Sequence, residues 1–117
     1  MKRPRLLVVG SLVMDLIVRA ERFVAPGETI LGTDYHTASG GKGANQAAQA
    51  ALLGAEVIMA GKVGNDAFGK EMLFSLKQTG VDTSRVLIAD NVPSGVGNIQ
   101  IQSGAGKTQN RIVVVPG

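Results

Sequence analysis

Cysteine and tryptophan are both absent from the 117 residues, and aromatic residues make up only 3%. Without cysteine the chain has no disulfide framework, no thiolate metal site and no cysteine nucleophile. That suits a reducing compartment, and a cytoplasmic protein is expected. Scarce aromatics and the lack of a basic stripe count against nucleic-acid binding as a main role. The net charge is only +3, and Lys2, Arg3 and Arg5 crowd the N-terminus, where they solubilise a chain end. Long hydrophobic runs are missing too, so no segment can span a bilayer as a helix and no membrane partner is expected. Leu6–Val9 follows Met1-Lys2-Arg3 like a signal peptide, but stops at Gly10-Ser11 without a small-residue cleavage site. Glycine, by contrast, is plentiful at 16 residues, in a composition 44% hydrophobic and 18% charged. Those proportions describe one folded domain, not a disordered chain.

The hydrophobic pattern alternates short apolar runs with helical stretches. Leu6–Val9 reads as a buried strand, and Met14–Val18 resumes an extended pattern. Pro26-Gly27 signals a turn, and Glu28–Thr37 mixes β-branched, aromatic and polar residues as an exposed hairpin or flap would. Gly43–Leu53 is rich in alanine and stops at Gly54, which predicts a helix that can pack closely on a sheet. Glu56–Ala60 reads as a second buried strand and Gly61–Asp66 as a polar loop. Phe68–Thr79 predicts an amphipathic helix with Met72, Leu73 and Leu76 on one face, closed by Gly80, with Asp66 as its N-cap. Val86–Ala89 reads as a strand, and Val96–Ile101 with Arg111–Val115 as a β-hairpin around Ser103-Gly104-Ala105-Gly106-Lys107. This alternation predicts an α/β fold: a Rossmann-like parallel sheet flanked by helices, with a small β lid added. The chain stops at Pro116-Gly117, just after an apolar strand, where such a domain ordinarily continues into a covering helix. The expectation is the N-terminal fragment of a larger domain.

The most informative run is Ser39-Gly40-Gly41-Lys42-Gly43-Ala44-Asn45-Gln46-Ala47, a glycine turn opening directly into the alanine-rich helix. A helix N-terminus offers unpaired N–H groups and partial positive charge, which suit electron-rich ligands. Glycines let the backbone approach a ligand closely. Lys42 can only donate hydrogen bonds, whereas the Asn45 amide donates and accepts. A small polyhydroxylated molecule needs that mixture. The plainer readings stand beside it: Lys42 as a solvated loop lysine, Asn45 pairing with helix backbone, Asp15 capping a turn. His36, the only histidine, reads as a surface or interface residue. Gly41 and Gly43 lack the third glycine of a dinucleotide fingerprint, because position 46 is Gln46. Gly106-Lys107-Thr108 mimics the end of a P-loop, but Ile101 stands where its first glycine belongs and a strand follows.

In order along the chain, Gly10-Ser11 with Asp15, Pro26-Gly27-Glu28-Thr29, Gly40–Ala47, Gly61–Gly69 and Ser94-Gly95-Val96 resemble the ribokinase-like members of the PfkB carbohydrate kinase family. The resemblance runs from about Leu6 to Gly117. It implies transfer of the ATP γ-phosphoryl group to a sugar hydroxyl, giving ribose 5-phosphate in the ribose case. It implies Asp15, Gly41, Lys42, Gly43 and Asn45 as sugar-binding residues. It also implies lid segments at about 24–38 and 94–115 that exclude water and make a homodimer contact. ATP, Mg2+ and K+ would be cofactors, held outside this chain together with the family's catalytic aspartate in a Gly-Ala-Gly-Asp-like segment. The chain holds no such segment, since Ser103–Lys107 has lysine in that place. No catalytic residue and no metal ligand are therefore expected here, and the chain alone should be inactive. Val13 stands where the family's ribose kinases usually carry an asparagine that touches the sugar. That substitution leaves a nucleoside or another sugar open as substrate, and a non-catalytic sugar-binding or dimerisation module remains the other reading.

Overall fold

The computed structural model describes residues 2–104 and 106–117, so Ala105 of the expected hairpin turn lies outside the described residues. The elements run β1 (Arg5–Val9), β2 (Val13–Ala20), β3 (Asp34–Gly40), α1 (Lys42–Leu52), β4 (Glu56–Gly64), α2 (Ala67–Gln78), β5 (Asp82–Ala89), β6 (Gly95–Gln102) and β7 (Gln109–Val115). They form two sheets. The first is parallel, in the order β1-β4-β5, and the second has the order β3-β2-β6-β7. The mixed α/β architecture is thus the one the sequence predicts.

Both crossovers in the first sheet step in one direction, and right-handed connections then place α1 and α2 on the same face. Val57 and Met59 of β4 lie beneath the helices and are fully buried. On α2, Gly69, Met72 and Leu76 recur at helical spacing and form its buried stripe. Met14 of β2 joins Met59 and Met72 in the core, so three flexible thioethers fill the junction between the sheets. Burial of each such side chain contributes about 1.5–3 kcal/mol. The opposite face of the first sheet is open: Leu7, Val9 and Leu87 are each more than 60% exposed.

Two expectations need correction. Gly61–Asp66 is not a loop throughout, because β4 continues to Gly64 in parallel register with β5 as far as Ala89. Backbone ladder bonds carry the strand through glycines that give no apolar signal. The flap expected over Glu28–Thr37 is a strand only from Asp34, pairing antiparallel with β2. Residues 21–33 instead form an irregular connection, fastened by side chains. Arg22 grips Glu28 with two hydrogen bonds of 2.6 and 2.9 Å, Glu28 also accepts from the Ala25 N–H, and Arg111 lies over the Phe23 ring at 4.2 Å.

The Arg22 hydrogen bonds, and then the Ala25 N–H, hold the Glu28 carboxyl near a pKa of about 2, below its ordinary 4.5. A carboxylate depressed on folding stabilises above its unfolded pKa and loses that contribution as pH falls through the folded value. Acidification from pH 4.5 toward 2 should therefore loosen residues 22–28 before the helices. Pulse-labelled hydrogen exchange across that range checks this, and uniform loosening would count against it.

Candidate functional site

Asp15 sits in mid-β2 on the face that carries Val13 and Ile17, between β3 on one side and β6 on the other. Both neighbours make room for it with glycine. A Cβ on Gly97 would stand 2.5 Å from Asp15 Oδ1, and one on Gly40 would stand 2.7 Å from Oδ2. Gly97 is the direct partner of Asp15 in the β2–β6 register. Its side-chain-free Cα lets the carboxylate lie across the strand. Partial burial raises the Asp15 carboxyl above its ordinary pKa of 3.8. Desolvation penalises the charged form, so the ionised group gains most from donors brought by a ligand.

The chain leaves β3 at Gly40 and turns through Gly41, at φ 99° and ψ 139°, straight into α1. Gly41 provides no side-chain cap, which leaves donors at the helix mouth for a ligand. Further in, the Ala44 N–H donates to the Ser11 carbonyl at 3.0 Å. Gly43 packs directly on the joint between β1 and β2, where its Cβ would meet Gly10 Cα at 2.7 Å and Ser11 N at 2.8 Å. Gly41 and Gly43 therefore bring the start of α1 against the strand that carries Asp15. Lys42 is exposed at the first helical position. Asn45, one turn on, is also exposed and borders a groove with Ser39, Gly40, Ser75 and Thr79 between the helices. The two thus stand at the same helix mouth, while Asn45 also faces the α1–α2 groove.

Gly40 and Gly97 were not among the site residues expected from sequence. Gly97 did leave a signal, since a glycine inside an apolar strand marks close approach of another group. His36 is exposed on β3 and pairs with Ile17. Asp66 is the N-cap of α2 and accepts from the Gly69 N–H at 2.8 Å, as expected. Among the described residues no three His, Asp or Glu side chains come together as a metal site, and no helix is long and apolar enough to cross a membrane.

Residues 3–116 match the profile of the pfkB family carbohydrate kinases. The chain belongs to this family. Ribokinase from Bacillus subtilis is 46% identical over 110 residues, which are 94% of this chain and 36% of that protein. Deoxyribokinase from Salmonella typhi is 34% identical over 110 residues, covering 94% of this chain and 35% of its own length. Among solved structures, Arabidopsis thaliana ribokinase complexed with ribose and ATP superposes with a TM-score of 0.85 at 38% identity. That match covers 98% of this chain and 36% of the plant protein. The chain spans about a third of the length of the curated relatives it matches.

Proposed function

We propose that this chain supplies the sugar-binding half and the lid of an ATP-dependent sugar kinase that converts D-ribose and ATP into D-ribose 5-phosphate and ADP. The observation that carries the reading is the Asp15 carboxylate laid between Gly40 and Gly97, beside a helix mouth with no side-chain cap. An ionised carboxylate accepts two hydroxyl hydrogen bonds at once, and bonds to charged groups are the strong ones. Lys42 and Asn45 supply donors to the remaining hydroxyls, and the Gly41–Gly43 backbone lines the floor of the pocket. The segments at about 24–38 and 94–115, which carry β6, β7 and most of β3, act as the lid that keeps water from the transferring phosphoryl group.

ATP supplies the phosphoryl group and Mg2+ the charge neutralisation, with K+ as the monovalent cation. The acidic side chains described here do not cluster to hold a metal. In this reading the nucleotide, the cations and the base for the sugar hydroxyl are held elsewhere in the full-length protein, and the chain alone is inactive. The open face of β1, β4 and β5, with Leu7, Val9 and Leu87, is where the rest of the protein packs. The lid also forms a homodimer contact, supported by β7, whose Ile112–Val115 side chains are all more than half exposed. A cytoplasmic setting completes the reading.

One observation favours a second substrate. Val13 shares the Asp15 face, and its Cγ1 would lie 3.8 Å from a Cβ on Gly97. An isopropyl group beside the carboxylate offers no hydrogen bond, which suits a sugar with one hydroxyl fewer, such as the substrate named for the deoxyribokinase relative. A coupled ADP-release assay on the full-length protein with ribose, 2-deoxyribose and nucleosides tests both readings. Turnover of none of them would falsify the sugar-kinase reading. If ribose is the substrate, Val13→Asn should raise kcat/KM for it about five- to tenfold, the worth of one recovered hydrogen bond. If 2-deoxyribose is, the same change should lower kcat/KM for that sugar.

A further inference from the structure

A knot of hydrogen bonds fastens the two sheets together away from the Asp15 face. Ser94 is the buried polar side chain of the described residues, and it stands at the root of β6. Its Oγ donates to Asp66 Oδ1 at 2.7 Å and accepts from the Gly64 N–H at 2.9 Å. Its own N–H donates to Asp66 Oδ2 at 2.9 Å, while Oδ1 also accepts from Gly69 N–H. The Asp66 carboxylate thus joins the first turn of α2 to the residue just before β6, and the Ser94 hydroxyl ties in the end of β4. These bonds hold the Asp66 carboxyl below its ordinary range.

Packing at this point leaves no slack. A Cβ on Gly64 would stand 2.5 Å from Ser94 N and 2.7 Å from Asp66 Oδ2, and one on Gly69 would collide with the Gly64 carbonyl. The other junctions between the second sheet and the α/β layer are made by backbone: the Ala44 N–H donates to the Ser11 carbonyl just ahead of β2, and Gly41 and Gly43 pack on Ser11 and Gly10. Strand β2 is entered after Gly10 and β3 is left through Gly40 and Gly41. Among the described residues the one other side-chain bond between the layers is Ser39 Oγ to Ser75 Oγ, exposed at 3.2 Å. Strand β6 is therefore the member of the second sheet whose root is held by buried side-chain hydrogen bonds. Three residues beyond Ser94 stands Gly97, the glycine that makes room for Asp15.

We propose that Asp66 is a positioning residue for the sugar site: through Ser94 it fixes the root of β6 on the α/β layer, and so sets where Gly97 stands beside Asp15. This rests on the reading of Asp15 as a sugar ligand. The Asp15 carboxylate occupies the space that a Cβ on Gly97 would fill, so its room depends on where β6 stands. Displacement of β6 by a fraction of an ångström then either clashes with Asp15 or lets water reach it. Helix capping alone would ask only for the bond to Gly69; the two bonds to Ser94 have no part in that cap.

The test separates the two roles with Asp66→Ser in the full-length protein. Serine retains an oxygen for the Gly69 N–H, so α2 stays capped, but it is too short to hold Ser94. Sugar Kd by calorimetry and sugar KM should both rise about tenfold, equivalent to about 1.4 kcal/mol. The nucleotide KM should move less than about twofold. In ligand-free protein, hydrogen exchange should quicken over Gly95–Ile101 and stay unchanged over Asp82–Ala89. Ser94→Ala removes the hydroxyl alone and should give the same pattern at smaller amplitude, which keeps the test available if Asp66→Ser fails to fold. Unchanged sugar affinity, or exchange that quickens evenly across both sheets, would overturn the proposal. If the unaltered protein binds no sugar, the sugar-kinase reading falls, and with it the link to the site. Exchange over β6 then decides separately whether the clamp exists.

Discussion

Asp15→Asn should cut kcat/KM for the sugar by about 100-fold or more in the full-length protein while leaving its thermal midpoint unchanged or slightly higher. Gly40 and Gly97 let both carboxylate oxygens lie within a strand-lined recess, where a Cβ on either side would come within 2.5–2.7 Å of them. Among the described residues no protein donor bonds to either oxygen, so the partly desolvated charge is left to water for compensation. Ligand hydroxyls take over that compensation. Hydrogen bonds to a charged group contribute about 1.5–3 kcal/mol each, and asparagine keeps one weaker acceptor while turning the other into a donor. A loss of about 3 kcal/mol corresponds to roughly 100-fold. The stability side has the opposite sign. A carboxyl whose pKa is raised on folding destabilises the folded state once ionised, above its folded pKa, and removal of the charge relieves that cost. Calorimetric sugar binding together with thermal unfolding of the same sample checks both halves. An unchanged affinity would remove Asp15 from the site.

Much of this site was legible because its signals are local. The run from Ser39 to Ala47 announces a glycine turn and a helix start within nine residues, and α1 begins at Lys42. Asp66 announced itself as an N-cap in the same way, by its place just before a helical pattern. What the sequence concealed is pairing between distant segments. Met14–Val18 reads as extended, yet nothing nearby says that it pairs in parallel with β6 and not with β1. Residues 34–40 are almost wholly exposed and show no alternation, and become a strand because β2 offers an edge to them. The bonds between Asp66 and Ser94 bridge 28 positions, and only the folded chain brings them together. Gly97 lay between these cases: its presence in a strand hinted at a close neighbour, but not that the neighbour is Asp15.

Gly41→Ala should be the most destabilising single methyl added to the helix mouth, by about 3 kcal/mol or more. Two separate penalties meet there. The backbone at φ 99° and ψ 139° lies in a region that L side chains rarely adopt, which alone costs on the order of 1–3 kcal/mol. The added Cβ would also stand 2.5 Å from the Ser11 carbonyl oxygen and 3.0 Å from Leu12 Cα, both backbone atoms without rotamers to yield. Overpacking of that kind costs about 1–3 kcal/mol more. Gly54 separates the terms, because its φ is 102° while nothing lies within 4 Å of a Cβ there. Gly54→Ala should therefore show the conformational penalty by itself, and the difference between the two variants measures the close approach of β2 to α1. Chemical denaturation of both variants gives that difference directly. Relief of the clash would require Ser11 and Leu12 to retreat, and with them the start of the strand that carries Asp15. Sugar affinity should accordingly fall in Gly41→Ala and hold in Gly54→Ala. Equal destabilisation with equal affinity would mean that the glycine turn serves the chain's direction alone and does not bring the helix mouth to the carboxylate.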